Sequence, residues 1–170
     1  MKYFIGNWKM FGIPGSIKIL DRINNYVKKD KARSKNYKVI ISPPYTLLEN
    51  FNKSFKNKKI SISAQNCFHK NNYGSHTGFV SPYMIKKLGV KHVIIGHSEN
   101  REAGENNQIL KEKVLASVKN NLNIISNLEI KNNLAKQNKR LFETVGDLKH
   151  INIGFYNKKT KILEYCDLYL

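Results

Sequence analysis

With 170 residues, 41% of them hydrophobic and including nine tyrosines and eight phenylalanines, the chain can bury one core of ordinary single-domain size, roughly 100 to 150 residues, and wholesale disorder is excluded. Its formal net charge of +18 invites a nucleic-acid reading. The lysines, however, are scattered among asparagine and isoleucine without a basic helix face, a zinc-finger spacing or an aromatic RNA-binding signature, so they read as a solvated surface with nonspecific attraction to polyanions.

The first strand is Tyr3-Phe4-Ile5-Gly6-Asn7, a short apolar run that ends polar. After Gly12, Pro14 and Gly15, a helix is expected from about Ser16, with Ile19, Leu20, Ile23 and Val27 as its apolar stripe and Lys28 and Lys29 suiting its C-terminus. Lys38 to Ser42 is a second buried-type strand, stopped by Pro43-Pro44; proline is tolerated at a helix start, so Tyr45 to Phe55 reads as the next helix. Ile60 to Gln65 alternates and makes a third strand.

A long loop with glycine and asparagine follows from Asn66 to Gly78, and a loop of that length in a compact pattern usually serves a function. Ser81-Pro82 then offers a helix cap with proline at the first helical position, Ile85 and Leu88 supply the apolar stripe, and Gly89 ends the helix. Val90 to Ile95 is the fourth strand. Glu102 to Asn120 reads as one helix with Leu110, Val114, Val118 and Leu122 four apart, and Leu122 to Ile125 as strand five.

Strand and helix thus alternate through at least four units, which argues a parallel sheet with right-handed crossovers. An open doubly wound sheet and a closed barrel both fit. No Gly-x-Gly-x-x-Gly turn follows the first strand, so a dinucleotide-binding sheet loses ground. Cys67 and Cys166 stand far apart without metal-ligand or redox spacing and read as ordinary thiols. No apolar run approaches the roughly 18 residues of a membrane span, and the start lacks a secretory signal's apolar stretch. A cytoplasmic protein is the expectation.

Active sites of parallel α/β proteins gather at the carboxyl ends of the strands. Here strand one ends Gly6-Asn7-Trp8-Lys9-Met10, strand three Ala64-Gln65-Asn66, and strand four Ile94-Ile95-Gly96-His97-Ser98-Glu99-Asn100-Arg101. Taken singly, Lys9 is an ordinary surface lysine and His97 a structural histidine. In this order and spacing, together with Gly74-Ser75-His76-Thr77-Gly78 before Ser81-Pro82, they closely resemble the triosephosphate isomerase family over about residues 2 to 125.

The resemblance implies a (β/α)8 barrel of TIM type, and an aldose–ketose isomerase that interconverts dihydroxyacetone phosphate and glyceraldehyde 3-phosphate, a step of glycolysis and gluconeogenesis, without cofactor or metal. It implies that Asn7 hydrogen-bonds a triose phosphate and that Lys9 presents positive charge to phosphate and to the developing enediolate. His97 would be the neutral electrophile that polarises the carbonyl, with Glu99 supporting. The loop carrying Thr77 would reach a partner subunit in a homodimer, although Phe79 stands where the family usually has glutamate.

The resemblance then stops. The family's general base lies in a Tyr-Glu-Pro-Val-Trp type motif that this sequence lacks, and the glycine-rich phosphate turns after strands seven and eight are also missing. Around strand five, only Glu129 of Ser126-Asn127-Leu128-Glu129 agrees, and nothing marks Glu143 or Glu164 as the base. A complete barrel typically needs about 250 residues. The expected organisation is therefore residues 1–126 as the first four or five βα units of a truncated barrel, and residues 127–170 as a divergent segment, suggesting a reading-frame shift or early termination. Half a barrel would leave strands one and five as unpaired edges, prone to self-association. The alternative function is an inactive remnant that binds anions or nucleic acid.

Overall fold

A computed structural model describes residues 2–29, 37–55, 59–126, 152–157 and 162–167. The strands are β1 (Lys2–Asn7), β2 (Tyr37–Ser42), β3 (Ile60–Ala64), β4 (His92–Ile95) and β5 (Asn123–Ser126), followed by β6 (Asn152–Asn157) and β7 (Ile162–Asp167). The helices are α1 (Ile17–Lys29), α2 (Tyr45–Phe55), α3 (Pro82–Lys87), α4 (Ser98–Glu102) and α5 (Asn107–Lys119). Strands β1 to β5 pair in sequence order, all parallel, with Ile5 opposite Ile40 and Ile94 opposite Ile125. This is the first part of a TIM-type barrel, as the motif order implied.

Alternation along the strands separates two apolar clusters. Ile5, Ile40, Ile94 and Ile125 meet inside the curve of the sheet. Residues of opposite parity, among them Ile41, Ile62, Val93 and Ile124, pack outward against Leu20, Phe51 and Ile85 from α1, α2 and α3. Where both faces are covered the strands read as nearly continuous hydrophobic runs, as in β2, β4 and β5, while β3 alternates isoleucine with serine. Phe51 is wholly buried at the centre of the outer layer and meets Trp8 edge to face at 5.6 Å, tying the chain after β1 to the core.

His92 opens β4 two residues before Ile94, on the parity of the inner cluster. Its Nδ1 is buried and has no hydrogen-bond partner among the described residues. Burial chiefly, with the positive charges of Lys38 and Lys91 adding, pushes the imidazole down to about 4, opposed by a hydrogen bond with the Ile62 backbone.

Three expectations change. In α1 the buried face is Leu20, Asn24 and Val27, while Ile19 is exposed; it lies one position, about 100°, off that stripe. The single helix expected from Glu102 to Asn120 is two. Gly104 takes φ 101°, a left-handed conformation that ends α4, and Asn106 starts α5 by accepting from Ile109 N–H at 2.9 Å. A four-residue repeat also drifts around a helix of 3.6 residues per turn, so Val118 emerges exposed; the buried face is Leu110, Lys113, Ala116 and Ser117.

The third change concerns the edges. Strands β6 and β7 form an antiparallel hairpin, with β7 parallel to β5 and β6 antiparallel to β1, so the ring closes in the order β1-β2-β3-β4-β5-β7-β6. Neither β1 nor β5 is a free edge. An antiparallel pair needs no crossover helix, which lets a short tail supply two staves of the ring. Glu164 stands in register with Ser126, while residues 129 and 143 lie outside the described residues.

Candidate active site

The carboxyl ends of β1, β3 and β4 open on one cleft of about 750 Å³. Asn7, Lys9, Gln65, His97 and Glu99 line it, with Tyr45 at the start of α2. Thr77 is elsewhere, exposed on the loop between β3 and α3. The structure therefore brings four of the five residues singled out from the sequence together.

Lys9 follows β1 in a left-handed backbone conformation, φ 51°, unusual for a residue with a side chain. Asn7 Oδ1 accepts from the Lys9 backbone N–H at 2.9 Å, and Gln65 Nε2 donates to the Lys9 carbonyl at 2.8 Å. The ammonium lies 2.8 Å from Glu99 Oε1 in a half-exposed ion pair. Such a pair contributes only about 0–1 kcal/mol, little enough for an anion to compete for the lysine.

His97 is 2% exposed and caps the start of α4. Gly96, at φ 77°, turns the chain out of β4 so that the imidazole falls at this cap instead of continuing the strand. The Glu99 backbone N–H donates to His97 Nδ1 at 3.3 Å, while Glu99 Oε2 lies 3.5 Å from the same nitrogen. One in-plane lone pair cannot accept from the amide and also carry a proton toward the carboxylate. The amide contact meets hydrogen-bond geometry, and with it the arrangement suits the tautomer with its proton on Nε2.

Behind the cleft is a buried polar group that sequence reasoning missed. Lys113 and Glu105, 6% and 8% exposed, form an ion pair, and Lys113 Nζ also donates to Asn66 Oδ1 at 2.9 Å. The same oxygen accepts from Cys67 N–H at 2.8 Å, and the Asn66 carbonyl accepts from the Tyr45 hydroxyl. Lys113 thus anchors the start of the loop after β3 from the far side of the sheet. Its signal was position, three residues after buried Leu110 on the same helix face, but a lysine in a lysine-rich helix reads as solvated. The Cys67 thiol is free, buried and 3.4 Å from Ser117 Oγ; burial pushes it up to about 11, against lowering by that contact and by Lys113. Burial likewise raises the Tyr45 hydroxyl well above its ordinary value.

The triosephosphate isomerase family model matches residues 2–153, beyond the stretch near residue 125 where the motifs end. Triosephosphate isomerase of Thermoanaerobacter sp. (strain X514) is 38% identical over 122 residues, which are 71% of this chain and 47% of that protein. The cytosolic triosephosphate isomerase of Stellaria longipes is 38% identical over 128 residues, 74% of this chain and 48% of its own. Among solved structures, triosephosphate isomerase from Bartonella henselae superposes with a TM-score of 0.68 at 33% identity, covering 75% of this chain and 51% of that one. The chain spans about half the length of the curated relatives it matches. Motif order, parallel strand order and these likenesses agree: the chain belongs to the triosephosphate isomerase family.

Proposed function

We propose that the cleft binds a triose phosphate and supplies the electrophilic half of aldose–ketose isomerisation between dihydroxyacetone phosphate and glyceraldehyde 3-phosphate. The observation that carries the reading is that Asn7, Lys9 and His97, from the ends of two nonadjacent strands, line one cleft. Removing a proton from carbon beside a carbonyl builds negative charge on the carbonyl oxygen, and preorganised donors lower that barrier. With Nδ1 engaged by the Glu99 amide, His97 offers its Nε2–H to that oxygen. Lys9 supplies charge to the phosphate and the enediolate, Asn7 orients the substrate through its amide, and Glu99 restrains the ammonium until an anion arrives.

The sequence carries no Tyr-Glu-Pro-type base motif. Turnover is therefore expected on the order of 10²–10⁴ below that of a site equipped with its base. The test is a coupled assay of glyceraldehyde 3-phosphate isomerisation. Residual turnover should vanish in His97→Gln, and turnover indifferent to that change would refute the reading.

The missing base motif and the charge of +18 also favour a second reading, an inactive anion- or nucleic-acid-binding module. Absence of turnover together with steeply salt-dependent polyanion binding would select it. In either case the chain pairs as a homodimer through the Thr77 loop. Met10 and Phe11 beside the cleft, and Tyr73 and Phe79 on that loop, are exposed apolar side chains suited to burial against a second copy. A reducing, cytoplasmic setting suits the free Cys67 thiol.

A further inference from the structure

Gln65 uses one amide group on two strands at once. Its Nε2 donates to the Lys9 carbonyl and to the Ser42 carbonyl, each at 2.8 Å. Ser42 ends β2, and its carbonyl also accepts from Trp8 N–H at 3.0 Å. Both partners of the Gln65 nitrogen are obligate acceptors, so the amide has only one orientation that fits. Both of its protons are then committed to main-chain oxygens, and it has none left to donate to a ligand.

Lys9, meanwhile, sits at φ 51°, a left-handed conformation disfavoured for a residue with a Cβ. Its N–H is held by Asn7 Oδ1 and its carbonyl by Gln65. Held at both ends, the strained peptide has one arrangement, and the direction in which the lysine side chain leaves the backbone is set with it.

We infer that Gln65 is a positioning residue. It clasps the tips of β1 and β2 to the end of β3, locks Lys9 in its left-handed conformation, and so aims the ammonium into the cleft before any anion arrives. Preorganisation of this kind appears as affinity because the ordering cost is met during folding. The inference rests on the reading of the cleft as a phosphate site and adds to it a residue that acts on the phosphate through Lys9.

The experiment measures the dissociation constant for inorganic phosphate by calorimetry at low ionic strength, alongside thermal melting. Gln65→Met, close to glutamine in volume but without donors, should weaken phosphate binding about tenfold. The matched control is Asn52→Leu. Asn52 Nδ2 donates to the Leu88 carbonyl at 2.8 Å, the same kind of bond away from the cleft, so this variant should lose stability yet bind phosphate within twofold of the wild type. If Gln65→Met is insoluble, Gln65→Asn, too short to span both carbonyls, should show the same loss.

A second readout needs no ligand. Release of the clasp lets Lys9 relax and recover its strain, whereas glycine adopts positive φ without strain, so Gln65→Met should lower the melting temperature more in a Lys9→Gly background than in the wild type. Equal phosphate affinity in Gln65→Met and wild type, equal weakening by Asn52→Leu, or a melting loss no greater beside Gly at position 9 would each overturn the clasp alone. A wild-type protein that binds no phosphate would overturn the phosphate reading as well.

Discussion

Replacing His92 with glutamine should flatten the acid side of the stability curve. In the folded chain the imidazole is pushed down to about 4, against about 6.5 in an unfolded chain. The sign follows from the lowered folded value. Above about pH 6.5 both states hold the ring neutral and nothing is lost. As pH falls, the unfolded chain takes the proton first, so stability drops by up to roughly 1.4 kcal/mol per pH unit, and the loss levels off below about pH 4. Between pH 7 and pH 5 this one group removes about 2 kcal/mol. Urea unfolding at the two pH values reads it directly, since with a slope of about 1–3 kcal/mol/M the midpoint should move by about 1 M more in the wild type than in His92→Gln. Other titrating groups contribute to both proteins and cancel in the comparison. Equal losses in the two proteins would show that the ring at the start of β4 is not held neutral by burial, and the reasoning would fail.

Lys113→Met should cost about 3–5 kcal/mol, because it leaves the Glu105 carboxylate buried without its ammonium. The double variant with Glu105→Gln should recover part of that in denaturant melts, and no recovery would argue against a charge penalty. Asn106→Ala removes the cap of α5 and should cost about 1 kcal/mol, seen as a melting shift of a few degrees with substrate-related properties unchanged.

Much of the fold was legible because strands covered on both faces carry short apolar runs, as in Phe4-Ile5, Val39-Ile40-Ile41, Val93-Ile94-Ile95 and Ile124-Ile125. Helix boundaries were less so. The break at Gly104 was hidden because the short helix before it, Ser98–Glu102, is polar throughout and has no apolar stripe whose end would show, and only the backbone conformation reveals that Asn106 is a second start. The closing hairpin was not read from the sequence, where residues 127–170 stood only as a divergent segment. Which edges its two strands join depends on pairing between distant residues, and local pattern carries no trace of that.

At the site, Asn7, Lys9 and His97 were legible only as a set, since each residue alone has a commonplace structural use. The left-handed turn at Lys9 had no glycine to announce it. Gln65 appeared in the motif that pointed to the family, but its two carbonyl partners come from other strands, and a sequence read along one dimension cannot show them. Lys113 was hidden by composition. Among so many lysines, its place three residues after Leu110 was too faint a mark to set it apart.

The pairing of Phe4 with Ile153 and Ile5 with Asn152 has a consequence for the order of assembly. During synthesis β1 precedes the other strands, and β2 soon follows to occupy one of its sides. Its other side must wait for β6, made only after β2 to β5, so that row of backbone donors and acceptors stays open while those strands and their helices are being produced. Contacts so distant along the chain form slowly, and an open row can meanwhile recruit a neighbouring nascent chain. Yield from the ribosome should therefore depend on chaperone supply and expression rate more than the equilibrium stability of the finished ring would suggest.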